Sequence, residues 1–208
     1  MSSKEWIGSH KSTFSILGAS NHSDYIREEH DFYATHPSIT RALIEYCDNN
    51  DIQLRDKTIL EPCCGIGHIS EVLKEYNLNV ISKDLIDRGY GDGCEDFLKN
   101  TDNNVNMHII TNPPFKYAKE FVEHSINMVS EGSYVCMLLK LTFLEGQKRQ
   151  VMFKNMPPYK VLVFSDRVIC ARNGDFDSFD SSAIAYAWFI WKKGNKELPV
   201  IDWINGKY

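Results

Sequence analysis

Four consecutive residues near the middle of the chain, Asn112, Pro113, Pro114 and Phe115, follow an apolar run that begins at Met107. Each proline fixes its own φ, and a residue before proline is pushed out of the α region, so the four form a stiff, extended turn. The Asn112 amide oxygen and the Pro113 carbonyl could hold both hydrogens of an amine and leave its lone pair directed at an electrophile. Phe115 could stack on the planar group that carries the amine. The alternative is that the prolines merely end a strand.

An earlier turn, with the sequence EPCCGIG, runs from Glu61 to Gly67. Gly65 and Gly67 permit a tight turn and a close backbone approach to a ligand at a helix N-terminus. Ser70 stands where the dinucleotide fingerprint has its third glycine, and Pro62 to Cys64 crowd the turn, which argues against a nicotinamide-dependent dehydrogenase. A carboxylate at Glu61 is unfavourable beside a pyrophosphate but suits a cationic amino-acid group. S-adenosylmethionine has such a group, with an ammonium and a sulfonium.

Two further acidic positions follow. Asp84 ends the next apolar run about twenty residues after Gly65, where a carboxylate can accept hydrogen bonds from both hydroxyls of a ribose. An ordinary solvated aspartate is the alternative. Asp96 and Phe97 could hold an adenine, with the carboxylate taking the exocyclic amine and the ring packing on the base. Asp96 could equally cap a helix that starts at Phe97.

These turns lie between short apolar runs and amphipathic stretches that alternate along the chain. The runs predict strands at 58–60, 79–82, 107–110, 133–139, 161–164 and 184–190, and the stretches predict helices at 39–46, 69–76 and 121–129. The alternation predicts an α/β fold with a mostly parallel sheet and helices on both faces. In such sheets a ligand binds outside the carboxyl ends of the strands, where the turns described above would lie.

Composition limits the alternatives. The chain has 208 residues, of which 43% are hydrophobic, which fits one globular domain over 31–208 after a polar arm or cap at 1–30. No run is long and apolar enough for a membrane span, and the N-terminus lacks a secretory core, so we expect a cytoplasmic protein without a membrane partner. Six cysteines without a C-x-x-C pair signal neither a zinc nor a redox site, and no metal is expected.

The charge and one loop leave questions open. A net charge of −5 is unusual for a nucleic-acid binder, although a groove could be locally basic. The basic candidates are Lys116, Lys119, Lys140, Lys148 and Arg149, and scattered surface lysines are the alternative. The polar loop at 171–182 is long for a compact domain, which suggests a lid or a substrate-binding loop, and disorder is the alternative.

On these motifs the chain resembles the S-adenosylmethionine-dependent amino-methyltransferases, particularly the N6-adenine DNA methyltransferases of phages and prophages. The resemblance covers roughly 31–191 and implies a Rossmann-like class I methyltransferase fold with a seven-stranded sheet and S-adenosylmethionine as the cofactor. It assigns catalysis to the tetrapeptide from Asn112 to Phe115, with Asn112 also next to the cofactor. The cofactor-binding residues that it implies are Tyr33, Thr35, Pro37, Glu61, Pro62, Cys63, Gly65, Gly67, Asp84, Leu85, Asp96 and Phe97. His36 departs from the family by interrupting the usual Thr-Pro step.

The resemblance implies methyl transfer to the N6 amine of adenine, with DNA favoured and RNA as the alternative nucleic acid. The base would be flipped out of a duplex or presented in a single strand. The chain after residue 111 has no room for a separate target-recognition domain, so a protein partner could supply recognition. The expected setting is a bacterial or phage-infected cell. Two alternatives remain: the same tetrapeptide occurs in enzymes that methylate a glutamine amide, and a silent nucleotide-binding module could keep the fold without the activity.

Overall fold

The computed structural model describes residues 33–172, 174, 176 and 184–206. The arm predicted at 1–30 and most of the loop predicted at 171–182 lie outside the described residues, and both remain predictions.

The described residues form four α-helices. Helix α1 begins where a proline is tolerated, because Pro37 at the first helical position needs no intrahelical N–H bond. His36 precedes it and accepts a hydrogen bond from the Ser38 backbone N–H at 3.3 Å. The helices are α1 (Pro37–Asn49), α2 (His68–Glu75), α3 (Ala118–Met128) and α4 (Gln147–Asn155). Helices α1 to α3 confirm the three predicted from periodicity.

Ten strands are present in the described residues, and six of them confirm the predicted runs to within two residues at each end. In chain order the strands are β1 (Tyr33–Thr35), β2 (Thr58–Glu61), β3 (Val80–Asp84), β4 (Gly93–Cys94), β5 (Met107–Thr111), β6 (Tyr134–Lys140), β7 (Lys160–Phe164), β8 (Cys170–Arg172), β9 (Tyr186–Lys192) and β10 (Val200–Ile204).

The main sheet has the strand order β10-β7-β9-β6-β5-β2-β3-β4. Every neighbouring pair is parallel except those of β9, which runs antiparallel between β6 and β7. The predicted α/β class and mostly parallel sheet are therefore confirmed. The strand count is eight rather than seven, because β10 pairs beyond β7 and extends the edge of the sheet.

Helices cover both faces of this sheet, as predicted. Neighbouring residues of one strand point to opposite faces, so Ile110 packs in the core with α1 and α2 while Ile109 packs in the core with α3. Both side chains are fully buried. Two apolar layers of this kind leave the strand ends as the place where polar groups can gather.

A small antiparallel ribbon lies beside those strand ends. Strand β1 pairs with β8 from Tyr33 with Arg172 to Thr35 with Cys170. The His36 N–H also donates to the Ile169 carbonyl at 3.4 Å. The ribbon brings the start of the described chain next to the end of β5, which is 77 residues away in sequence at the contact between Asn112 and Thr35.

Within the described ranges, no helix has the length and hydrophobicity that a bilayer span requires. The same residues contain no cluster of three or more histidine, cysteine or acidic side chains that could hold a metal ion.

Candidate active site

The tetrapeptide turn follows β5 directly, and its asparagine is anchored to the β1 strand. Asn112 Nδ2 donates to the Tyr33 carbonyl and to the Thr35 hydroxyl, both at 3.1 Å. Pro113 is buried, and Pro114 precedes a single 3-10 turn at Phe115–Tyr117. Because both bonds use the amide nitrogen, the Asn112 amide oxygen is left as an acceptor with no partner among the described residues. An oriented acceptor of this kind can receive a hydrogen from a substrate amine.

Phe115 is half-buried and lies among aromatic and basic side chains. Its ring centroid is 6.1 Å from that of Tyr33 and 5.8 Å from that of Tyr186, and both pairs are tilted. The Lys140 ammonium lies over the Phe115 ring, 4.6 Å from its centroid. Tyr186 had no role predicted from the sequence, and Lys140 was one candidate for a locally basic groove. The pairing of Lys140 with Tyr186 across β6 and β9 brings both to this ring.

The predicted cofactor loop is a tight turn between β2 and α2. The Cys64 N–H donates to the Lys83 carbonyl at 2.9 Å, and the Gly67 N–H donates to the Cys64 carbonyl at 2.8 Å. Gly65 has a φ of 56° and Gly67 a φ of 94°, a backbone region that other residues rarely adopt. A Cβ on Gly67 would also come within 2.5 Å of the Tyr90 ring. The glycines of the motif therefore serve a backbone conformation that side chains would strain.

We expect Gly67→Ala to destabilise the fold by about 3 kcal/mol, because positive-φ strain and overlap with Tyr90 add to each other. Gly89→Ala is the matched control, since Gly89 has a φ of 78° and a Cβ there would meet nothing within 4 Å. The control should cost only the backbone strain, about 1–2 kcal/mol. Urea unfolding of both variants gives the two free energies, and equal losses would show that the Tyr90 contact has no effect.

Asp84 holds the cofactor loop in place from the end of β3. Its Oδ2 accepts the Gly65 N–H at 2.8 Å, and its Oδ1 accepts the Ile86 N–H at 3.0 Å. The side chain of Leu85, which lies between Asp84 and Ile86 in the sequence, is 58% exposed. Each carboxylate oxygen has a second lone pair, so hydroxyls of a ligand could bind without breaking either bond. The structure thus brings together Gly65 and Asp84, which the sequence only suggested to be neighbours.

Glu61 is buried below the same loop. Its Oε2 accepts a hydrogen bond from the Ser70 hydroxyl, which lies 2.6 Å from the Ser82 hydroxyl. Burial raises the pKa of Glu61 to about 8, even though the hydrogen bonds from Ser70 act in the opposite direction. The carboxyl is therefore largely neutral at pH 7. The predicted contact of Glu61 with a cationic ligand remains a prediction, and it requires the carboxyl to ionise.

The predicted adenine pair, Asp96 and Phe97, remains a prediction, and the two side chains have different contacts. Asp96 forms an ion pair with Lys99 at 2.9 Å, and it precedes a 3-10 turn without forming a capping hydrogen bond. Phe97 is buried, with its ring stacked 5.3 Å from that of Phe121 and in edge contact with His124 at 4.8 Å. Phe97 also lines a recess, so part of its ring faces a space beside the core.

A small recess beside Phe97 contains an acid that the sequence analysis did not select. Glu95 accepts hydrogen bonds from Lys83 and from Asn100, both at 2.5 Å. The residues that line the recess are Leu60, Pro62, Lys83, Glu95 and Phe97. Pro62 was predicted to bind the cofactor. Neighbouring Cys63, also predicted, is half-buried.

The predicted N-terminal motif and the cofactor loop meet through one residue of the 171–182 loop. The Phe176 ring contacts His36 and His68 edge-on, with centroid distances of 5.1 and 5.3 Å. Burial lowers the pKa of both histidines. Of the three residues predicted from this motif, Tyr33 is exposed, Thr35 is buried and Pro37 begins α1.

Three of the other basic candidates, Lys116, Lys119 and Arg149, are engaged locally. Lys119 forms an ion pair with Glu123 at 2.6 Å. Lys116 lies over the Tyr117 ring at 5.1 Å, and Arg149 donates to the Glu145 carbonyl at 2.5 Å. These contacts are typical of solvated surface charges, and each is too exposed to add more than a fraction of a kcal/mol.

Comparisons with known proteins reveal similarity in structure alone. No family model matches the chain, and no curated protein matches it. Among solved structures, a putative class I S-adenosylmethionine-dependent methyltransferase from Listeria monocytogenes has a TM-score of 0.58 at 14% identity, with 95% of this chain and 72% of that chain covered. The methyltransferase subunit of a type I restriction-modification system from Streptococcus thermophilus has a TM-score of 0.57 at 13% identity, with 80% and 46% covered.

A putative RNA methyltransferase from Pyrococcus horikoshii has a TM-score of 0.56 at 12% identity, with 89% of this chain and 99% of that chain covered. The chain thus spans less than half of the Streptococcus subunit but nearly the whole of the Pyrococcus protein. The residues that the structure describes therefore have the Rossmann-like α/β fold of class I methyltransferases.

Proposed function

We propose that this protein is an S-adenosylmethionine-dependent methyltransferase that modifies the exocyclic N6 amine of adenine in DNA. The observation that carries the proposal is the anchored Asn112 amide, whose nitrogen is bonded to the β1 strand and whose oxygen is left as an acceptor. The fold supports the cofactor class, because the solved structures that resemble it include a methyltransferase described as S-adenosylmethionine-dependent.

The loops beside Asn112 have the groups that the cofactor would need. The turn with Gly65 and Gly67 lets the backbone approach a ligand closely, and Asp84 retains acceptor capacity for ribose hydroxyls. The recess next to Phe97 is partly apolar and carries Glu95, which is a second candidate, beside Asp96, for an acceptor of the adenine amine. The Glu61 carboxylate would complement the positive end of the cofactor once ionised.

When bound, the cofactor supplies an electrophilic methyl group on a positively charged sulfur. The amine nitrogen would bond to that carbon as the carbon–sulfur bond breaks to leave a neutral thioether, and the methylated nitrogen would then lose its extra proton to solvent. Asn112 Oδ1 and the Pro113 carbonyl would accept the two amine hydrogens and so direct the nitrogen lone pair. Phe115 would hold the base by stacking. The protein thus contributes positioning rather than covalent catalysis.

DNA is the substrate class that we favour, because the structural neighbours include the methyltransferase subunit of a restriction-modification system. The chain spans less than half of that subunit and has a net charge of −5, so we propose that a protein partner supplies target recognition. An RNA substrate is the competing outcome, since the Pyrococcus neighbour is described as a putative RNA methyltransferase.

The direct test is transfer of labelled methyl groups from S-adenosylmethionine into separate pools of duplex DNA, single-stranded DNA, RNA and cell protein. Nucleoside mass analysis should find N6-methyladenine in DNA. Label confined to RNA or to protein would support methyl transfer but refute DNA as the substrate. Cofactor binding without transfer to any pool would favour a silent nucleotide-binding module.

The proposal also predicts proton release when the cofactor binds. A positive charge next to Glu61 favours its ionised form, so its pKa of about 8 should fall in the complex. The charged neighbours Asp84 and Lys74 act on Glu61 in opposite directions. Affinity should therefore rise with pH by up to about tenfold per unit below pH 8 and level off above it.

Calorimetry at pH 7 in two buffers of different ionisation enthalpy measures this release. Glu61→Gln provides the control, because it keeps the shape of the side chain and removes the titration. Equal heats in both buffers for the unmodified protein would show that Glu61 stays neutral and does not pair with the cofactor.

A further inference from the structure

Lys140 stands out because its charge lies where a substrate base would stack. Its ammonium is 4.6 Å from the centroid of the Phe115 ring, and it forms no ion pair with any acid in the part of the chain that the structure describes. The residue is half-buried and ends β6, next to the end of β5 that carries the tetrapeptide. A base that stacks on this face of Phe115 must displace the ammonium.

The displacement is favourable on energetic grounds. A cation over a partly exposed aromatic ring is a weaker contact than a nucleic-acid base stacked on the same ring. The four-carbon stem of lysine lets the ammonium swing from the face of the ring to the edge of an incoming base without moving the backbone. Tyr186, directly opposite Lys140 on β9, also packs near Phe115, with the two ring centroids 5.8 Å apart.

The chemistry of the Lys140 ammonium determines which atoms of a base it can bind. An ammonium has three donors and no acceptor, so it can only pair with a lone pair on the base. Adenine has three ring nitrogens with free lone pairs at N1, N3 and N7 in single-stranded or flipped form. The acceptors of the tetrapeptide take the amine hydrogens, which leaves these nitrogens for a donor from elsewhere.

We propose that Lys140 is a substrate-positioning residue that covers Phe115 in the empty pocket and donates a hydrogen bond to a ring nitrogen of the adenine that replaces it. This role rests on the proposed function, because it requires adenine as the substrate. Lys140 would thus donate to the ring of the base, while Asn112 and Pro113 accept from its amine.

The test combines Lys140→Met with an oligodeoxynucleotide that contains one adenine, in the strand form that the unmodified protein methylates. The same oligonucleotide is made with 1-deaza-, 3-deaza- or 7-deazaadenine, each of which lacks one ring nitrogen. We expect Lys140→Met to lower kcat/KM at least tenfold, mainly through a higher KM, with cofactor affinity unchanged. One deaza base should cause a similar loss in the unmodified protein and little further loss in the variant.

Two further variants separate base contact from simple structural support. Lys140→Arg keeps a donor and should retain most of the activity. Lys192→Met removes an ammonium that lies over Tyr134 and Tyr159, at 5.6 and 5.9 Å, at the opposite end of β9, and should leave kcat/KM unchanged. A purely structural lysine would change the melting temperature but not the response to the deaza bases.

Unaltered methylation by a folded Lys140→Met variant would overturn the role of Lys140 and leave the proposed function intact. Equal effects of all three deaza bases on the unmodified protein and the variant would overturn it as well. Failure of the unmodified protein to methylate adenine in any DNA would overturn the proposed function and the role of Lys140 together.

Discussion

Asn112→Ala should lose methyl transfer by about 10²–10³-fold in kcat while it binds S-adenosylmethionine with nearly unchanged affinity. The expected size is that of removing one preorganised polar group from a reacting centre. The substitution removes the acceptor that would orient the substrate amine, and it also removes both hydrogen bonds to β1. Single-turnover transfer measures the first effect, and calorimetric titration with the cofactor measures affinity.

The lost hydrogen bonds should cost only about 1–2 kcal/mol of stability, so the variant should remain folded. Asn79→Ala is the matched control, because Asn79 makes the same type of bond to Thr58 at 2.8 Å, before β3 rather than after β5. The control should lose comparable stability and no activity. If Asn112→Ala lost cofactor affinity as strongly as activity, the separation between catalytic and cofactor-binding residues would be wrong.

Asp84→Ala should show the reverse pattern, with cofactor affinity weakened by about 10–100-fold before any effect on the chemical step. The reason is twofold: the carboxylate would bind ribose hydroxyls, and it already holds the Gly65 N–H. Hydrogen bonds to a charged group are worth about 1.5–3 kcal/mol each, which sets the expected range. Transfer measured at saturating cofactor should then approach that of the unmodified protein.

Asp202→Ala is the control for this prediction. Asp202 accepts bonds from the Tyr46 hydroxyl and the Trp203 N–H, both at 2.8 Å, on the edge strand β10. The control removes a carboxylate with the same number of partners far along the sheet from β3, and its cofactor affinity should not change. If Asp84→Ala lowered kcat without lowering cofactor affinity, Asp84 would have to be assigned to substrate binding rather than to cofactor binding.

Hydrophobic periodicity was sufficient for the elements that have a buried face. It predicted six strands and three helices, because their apolar residues repeat with the period of the element. It did not predict α4, where Met152 is the one buried side chain among nine residues. It also missed β10, whose Val200, Ile201 and Trp203 are exposed, because an edge strand lacks the burial that makes a pattern visible.

The site was predictable where it is local in sequence. A turn such as that of Gly65 and Gly67 can be predicted from its glycines, because a positive φ favours glycine. Contacts set by strand pairing were not predictable, and Lys140 reaches Phe115 only through the order of β5, β6 and β9. Glu61 illustrates a third limit, since its burial against Ser70 depends on how α2 packs on β2.

The pair of bonds that anchors Asn112 restricts which residue can occupy that position. The Tyr33 carbonyl can only accept a hydrogen bond, so the side-chain atom that faces it must be a donor. An ionised aspartate would put a negatively charged oxygen against that carbonyl, and a serine has a single O–H, which cannot donate to both Tyr33 and Thr35. The carboxamide offers two N–H donors on one branch and an acceptor on the other at any ordinary pH. The main chain of β1 thereby disfavours an ionised aspartate at position 112, whichever substrate binds.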